Sequence, residues 1–199
     1  MKTAISIDIE TLGLDRDSLV LSIGMVEFAL RPKELGEVEL PYPCYGNHQN
    51  GNTIYPAVDE QTCKVSERVI DPGTVRFWLD QKLNFSDLLF KNFKYGTRLD
   101  ECYDALNTFY DKVDARNARH VDVWMKGTDF DGVILKSLFG KLPWSYSQQR
   151  DVRTLMKVCN WNAGNTWVKE REDVALHDAF NDAQNQATII QECLTRING

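Results

Sequence analysis

Residues 3–10 alternate between polar or small side chains and bulky apolar ones, which is the period of two that a β-strand requires. One face of this predicted strand carries Asp8 and Glu10, and the other face carries isoleucines at positions 5, 7 and 9. A strand with one apolar face and one acidic face is typical of a strand that packs on a core and also presents a chemical site.

Two further strands are predicted after the first one. The segment Leu19–Leu30 is rich in Val, Ile and Phe, and a third strand is expected over Glu37–Tyr42. Because the connections are short, these three strands predict an antiparallel meander. Residues 41–73 are then rich in Pro, Asn, Gln and Gly, which predicts a long irregular, insertion-like loop on the surface.

The rest of the chain shows helical spacing of apolar residues around one short buried strand. The predicted helices are 74–82, 99–115, 131–139, 150–159 and 178–197, and the strand is 121–125. This order predicts an α/β fold with a mixed sheet, in which the antiparallel meander continues into parallel strands and helices flank the sheet. The 199 residues are expected to form one domain.

Composition and charge narrow the classes of function. The formal net charge is −6, whereas proteins that coat nucleic acid usually carry a basic excess. A carboxylate site that becomes attractive to phosphate only after it binds metal ions is compatible with this charge. The sequence shows no signal peptide and no membrane-length apolar run, and its five cysteines lack zinc spacing. These features predict a cytoplasmic protein with reduced thiols and no membrane partner.

The pair Asp8 and Glu10 is the first candidate for chemistry. Two carboxylates two positions apart on a strand lie on the same face, and their repulsion favours a shared cation. Oxygen ligands of this kind suit Mg²⁺ or Mn²⁺. The alternative is a solvated strand end with two surface acids, which a D-x-E pattern alone does not exclude.

Acids and one histidine later in the chain complete the candidate set. Asp131 follows a strand and a glycine turn, at a predicted helix start, where Asp129 is its rival for the chemical role. Asp182 lies beside the apolar stripe of the last helix, and His177 lies just before that helix. Taken singly, a helix-capping acid or an exposed histidine would be the more ordinary interpretation of these positions.

Together these motifs resemble those of the DEDDh (DnaQ-like) 3′-to-5′ exonuclease family. The resemblance rests on Asp8-Ile9-Glu10-Thr11, on Gly127-x-x-Phe130-Asp131 and on His177-x4-Asp182-Ala183, which occur in family order. The stretches 74–81, 123–124 and 150–154 are similar to the phage-type branch, which includes phage exodeoxyribonuclease A and exonuclease VIII-like proteins. Lys126 departs from the pattern, since many relatives carry Asn at that position.

The resemblance implies a ribonuclease H-like fold and a two-metal mechanism that releases nucleoside 5′-monophosphates. It implies that two Mg²⁺ ions, replaceable by Mn²⁺, are bound by Asp8, Glu10, Asp131 and Asp182, and that His177 is the general base. The implied substrate contacts are Thr11, Leu12, Lys126 and Phe130. Phe77 and Trp78 are either base-stacking residues or core residues. A phage-encoded protein would act in the host cytoplasm.

The expected partner is a nucleic-acid 3′ end, with single-stranded DNA as the first choice of substrate. Trimming of RNA 3′ ends is the first alternative, because discrimination through the 2′-hydroxyl can depend on one contact. A non-catalytic nucleic-acid-binding module and an endonuclease of the ribonuclease H type are the others. The His177-x4-Asp182 spacing favours an exonuclease over an endonuclease.

Overall fold

A computed structural model gives the fold and describes residues 2–30, 51–63, 68–80, 89, 92–118, 120–161 and 177–198. The third predicted strand, Glu37–Tyr42, lies outside the described residues.

The centre of the fold is a five-stranded mixed sheet with the strand order β3-β2-β1-β4-β5. Strand β1 pairs antiparallel with β2 and parallel with β4; β2 pairs antiparallel with β3, and β4 pairs parallel with β5. The strands are β1 (Thr3–Thr11), β2 (Val20–Ala29), β3 (Gly51–Ile54), β4 (Val123–Met125) and β5 (Gln149–Asp151). The predicted α/β class with a mixed sheet is confirmed, and the arrangement is consistent with a ribonuclease H-like fold.

The main helices of the described residues accompany the sheet. They are α1 (Val58–Cys63), α2 (Pro72–Asp80), α3 (Leu99–Arg116), α4 (Val133–Phe139), α5 (Val152–Val158) and α6 (Ala179–Asn198). The predicted helices at 74–82, 99–115 and 178–197 correspond to α2, α3 and α6 within a few residues. The predicted helix at 131–139 begins instead with a π-helical turn, Thr128–Gly132, before α4.

Two elements differ from the sequence prediction. The stretch 41–73, predicted to be an irregular loop, contains strand β3 and helix α1, so the prediction does not hold for these residues. Strand β5 occupies the first residues of the predicted helix at 150–159. Both strands are very short, and a pattern of three or four residues carries little periodic signal.

The alternation of β1 divides the core between the two faces of the sheet. Ile5, Ile7 and Ile9 pack in one cluster with residues of α3 and α4. Ala4, on the opposite face, packs in a second cluster with α5 and α6. A third cluster joins the end of β1 to α1 and α2; its buried members are Leu12, Leu19, Leu21, Val58 and Trp78.

Cys159 and Cys193 form a disulfide that connects the end of α5 to α6, with 5.4 Å between their Cα atoms. The prediction of reduced thiols was therefore wrong for this pair, whose separation of 34 residues matches no pattern that sequence alone identifies. Within the part of the chain that the structure describes, no helix is long and apolar enough to cross a membrane.

Candidate active site

The site is built on β1, which has a strand neighbour on each side. Asp8 and Glu10 lie near its carboxyl end; Asp8 is partly buried and Glu10 is buried. Because β1 pairs with β2 along its whole length, its side-chain directions are fixed. The two carboxylates are therefore held on one face.

Helix α6 reaches this face because Gly24 has no side chain. Gly24 lies opposite Asp8 in the β1–β2 ladder, and a Cβ at Gly24 would overlap the backbone carbonyl of Ala179. The first turn of α6 can thus pack directly on β2. This contact places Asp182, one turn into the helix, over the acidic pair.

His177 lies immediately before α6 in a left-handed conformation, with a φ of 58°. Asp178 caps the helix, since its Oδ1 accepts hydrogen bonds of 3.1 Å from the backbone N–H groups of Phe180 and Asn181. The left-handed residue followed by a capped helix end turns the His177 ring toward the sheet. One ligand atom each from Glu10, His177 and Asp182 lie within 4.8 Å of one another.

Asp131, and not Asp129, joins this cluster. Asp131 is 4% exposed, its charge interacts with that of Asp8, and the nearby backbone of Ile9 lowers its pKa. Asp129 is exposed. Side chains two positions apart on a helical turn point to nearly opposite sides, and Asp131 lies on the buried side of the turn Thr128–Gly132.

The four carboxylates of the cluster cannot all be charged without a large cost in free energy. Burial is the largest cause in every case: it raises the pKa of Glu10 to about 8 and that of Asp131 to about 7, and it raises those of Asp8 and Asp182. Mutual repulsion adds to this effect on Asp8 and Glu10. The nearby Asp182 carboxylate raises the pKa of Glu10 further.

These residues fit divalent cations. The donors are carboxylate oxygens with an imidazole nitrogen beside them, which suit hard divalent ions. Cations would replace the protons that the buried carboxylates otherwise hold, since both neutralise the same charge.

The family model described as the 3′-5′ exoribonuclease Rv2179c-like domain matches residues 3–194, nearly the whole chain. The chain belongs to this family. It is therefore a 3′-5′ exonuclease, and the matched span includes every acid of the cluster and His177. No curated protein matches the chain.

For the metal-free exonuclease we predict a loss of stability as pH rises. The pKa of Glu10 is raised from 4.5 to about 8 and that of Asp131 from 3.8 to about 7, so the folded protein binds more protons than the unfolded one. This contribution is fully present below about pH 4 and is lost as pH rises through 7 and 8. Thermal unfolding in EDTA between pH 5 and 9 would measure it, and Mg²⁺ should restore stability at the alkaline end.

The double variant Glu10→Gln/Asp131→Asn is the comparison for that experiment. It should show a smaller fall in melting temperature between pH 6 and 9 than the unmodified protein. Equal slopes for the two proteins would contradict the raised pKa values of Glu10 and Asp131.

The four predicted substrate contacts of this exonuclease lie in environments that differ from one another. Lys126 is exposed and lies close to the cluster. Its positive charge partly offsets the raised pKa values of Asp8 and Asp182. Thr11 is buried and donates from Oγ1 to the carbonyl of Gly13 at 2.7 Å. Leu12 is packed in the third core cluster, and Phe130 packs against the first. Their roles in substrate binding stay predictions.

Phe77 and Trp78, which sequence could not tell apart, have different environments. Trp78 is buried, and its Nε1 donates to the carbonyl of Thr11 at 3.0 Å, which ties α2 to the end of β1. Phe77 is 42% exposed, and its ring centroid lies 5.0 Å from that of His177 in an edge-to-face arrangement. Trp78 is thus a core residue, whereas Phe77 lies at the rim of the site.

Two residues near the cluster were not found from sequence. Arg153 lies beside Gly127, since a Cβ atom added at Gly127 would lie 2.7 Å from Nη1 of Arg153. The positive charge of Arg153 lowers the pKa of Asp131. Gln186 donates from Nε2 to Oδ1 of Asp8 at 2.6 Å. A signal for Gln186 was present, because it lies four residues after Asp182 and therefore on the same helix face.

Proposed function

We propose that this exonuclease is a metal-dependent exoribonuclease that removes nucleoside 5′-monophosphates from the 3′ end of RNA. The observation that carries the proposal is the meeting of four carboxylates with raised pKa values and one histidine at a single site of a 3′-5′ exonuclease domain. Such a cluster is costly for a protein that does not use it.

The metal ligands are proposed to be Asp8, Glu10, Asp131 and Asp182. Asp8 would be central to the cation site, because its charge interacts with those of the other three acids. Mg²⁺, or Mn²⁺ in its place, would supply positive charge that stabilises the scissile phosphate and the departing oxygen.

His177 is proposed to be the general base. An imidazole nitrogen takes a proton from a water molecule, the water oxygen attacks the terminal phosphorus, and the bond from phosphorus to the 3′-oxygen breaks. The leaving oxygen is then protonated from solvent, and the products are a nucleoside 5′-monophosphate and a chain shorter by one residue. The location of His177 beside Glu10 and Asp182 supports this role.

Lys126 and Phe77 are the candidates for contacts beyond the reacting phosphate. Lys126 is an exposed cation next to an acidic cluster, which suits a phosphate of the substrate strand. Phe77 offers an exposed ring beside His177, where an unpaired base could stack. The likeness to the phage-type branch adds no support for one substrate over another, and the cytoplasm is the proposed location.

RNA replaces DNA as the first choice of substrate because the family description names an exoribonuclease. Single-stranded DNA, the first choice from the sequence, becomes the alternative. We expect a 5′-labelled single-stranded RNA to be shortened stepwise in Mg²⁺ and left intact in EDTA. A DNA of the same sequence should be degraded about two- to tenfold more slowly if a 2′-hydroxyl contact contributes one ordinary hydrogen bond.

The same assay separates the remaining alternatives. Equal or faster release of deoxynucleotides would overturn the RNA assignment while leaving the exonuclease mechanism in place. Internal cleavage products would indicate an endonuclease. Binding without hydrolysis in Mg²⁺ and in Mn²⁺ would leave only a nucleic-acid-binding module.

A further inference from the structure

Gln186 lies on α6 beside the acidic cluster and contacts Asp8. Its side chain is 2% exposed, and Nε2 donates to Oδ1 of Asp8 at 2.6 Å, although the two residues are 178 positions apart in sequence. Asp182 lies one helical turn earlier on the same helix. One face of α6 therefore supplies both an acid of the site and a hydrogen-bond donor to another acid of the site.

The second polar atom of Gln186 has no equivalent role. Its Oε1 is buried and has no hydrogen-bond partner among the described residues. A buried acceptor without a partner is unfavourable, and an apolar side chain would avoid it. The contact with Asp8 is thus the feature that distinguishes a glutamine from an apolar residue of similar length at this position.

An amide is chemically suited to hold a metal ligand in place. It donates a hydrogen bond to one carboxylate oxygen without neutralising the carboxylate, whereas a lysine or arginine there would compete with a cation for the same charge. Groups that hydrogen-bond to metal ligands fix their orientation and commonly change metal affinity or activity by about 10–100-fold when they are removed.

We propose that Gln186 is a positioning residue, which sets the orientation of the Asp8 carboxylate for cation binding. The inference rests on the proposed function, because it takes Asp8 to be a metal ligand. The inference goes beyond the proposed function because it assigns a role to Gln186, a residue that would touch neither the cation nor the substrate.

The test compares Gln186→Met with Gln191→Met. Methionine keeps the unbranched shape of glutamine and removes the donor. Gln191 is the matched control because it is a partly buried amide on the same helix, and its Nε2 donates at 2.8 Å to the carbonyl of Ala29, away from the site. Both variants lose one amide hydrogen bond of α6, but only Gln186→Met loses the contact with Asp8.

Three quantities are measured on the full chain: the dissociation constant for Mn²⁺ without RNA, from electron paramagnetic resonance, the Mg²⁺ concentration at half-maximal rate, and KM for RNA. For Gln186→Met we expect the first two to rise about 10–100-fold with little change in KM. Saturating Mg²⁺ should restore most of the rate. Gln191→Met should leave all three quantities unchanged.

An unchanged Mn²⁺ affinity in Gln186→Met would overturn the proposal, and so would an equal change in Gln191→Met. If Gln186→Met does not fold, Gln186→Asn replaces it, because the shorter amide keeps the polarity but does not reach Asp8 at 2.6 Å; the same rise is expected. Failure of the unmodified protein to bind Mn²⁺ or to cleave RNA or DNA would instead count against the proposed function.

Discussion

Asp8→Asn should abolish nucleotide release in Mg²⁺ and should not lower the melting temperature of the metal-free protein. Removing a carboxylate that is proposed to be a metal ligand should cost several kcal/mol of transition-state stabilisation, or on the order of 10³-fold in rate. The same change removes a charge whose burial and neighbours raise its pKa, so the metal-free fold should gain stability near pH 8. Asparagine keeps an oxygen that can accept from Gln186.

The measurements are stepwise shortening of labelled RNA and thermal unfolding in EDTA. Asp129→Asn is the matched control, since it removes one negative charge from the exposed side of the turn that carries Asp131. We expect it to keep its activity. A metal-free Asp8→Asn protein that melts clearly below the unmodified one would contradict the account of a repulsive cluster.

His177→Asn should reduce the rate by about 10²–10⁴-fold, the usual contribution of a general base. Asparagine is a better replacement than alanine because the backbone at this position has a φ of 58°, a conformation that asparagine adopts readily. The cap formed by Asp178 should then persist, and the loss of rate should reflect chemistry and not unfolding of the start of α6.

His120→Asn serves as the control, because His120 is an exposed histidine in a loop away from the predicted motifs. The effect of His177→Asn should appear in kcat at saturating Mg²⁺. Near-full activity of His177→Asn would remove this histidine from the mechanism.

Sequence patterns predicted most of the fold where a segment was long enough to show its period. The alternation in β1 gave the strand, the acidic face and the isoleucine face that packs in the first core cluster. The apolar spacing of α3 and α6 gave both helices to within two residues. The three-residue β5 was missed because its pairing with β4, and not its own pattern, makes it a strand.

The site residues were also predicted only where a local pattern was sufficient. Asp8 and Glu10 could be placed side by side because strand geometry alone sets their relation. Asp131 could not be separated from Asp129, because the way the turn Thr128–Gly132 packs in the fold decides which acid is buried, and no local pattern indicates that packing. The disulfide and the contact between Gln186 and Asp8 both depend on how α6 packs, so neither could be read from spacing alone.

The sequence by itself determined which residue types carry the chemistry and their order along the chain: an acidic pair on a strand, an acid after a glycine turn, and a histidine before a helix with an acid. Only the tertiary structure decided that these groups share one site, because the separations of 121 positions from Glu10 to Asp131 and of 51 positions from Asp131 to Asp182 are bridged by sheet pairing and by the packing of α6 on Gly24. It also decided their electrostatics. Burial is the largest cause of every raised pKa in the cluster, and burial is a property of the folded chain that no local pattern contains.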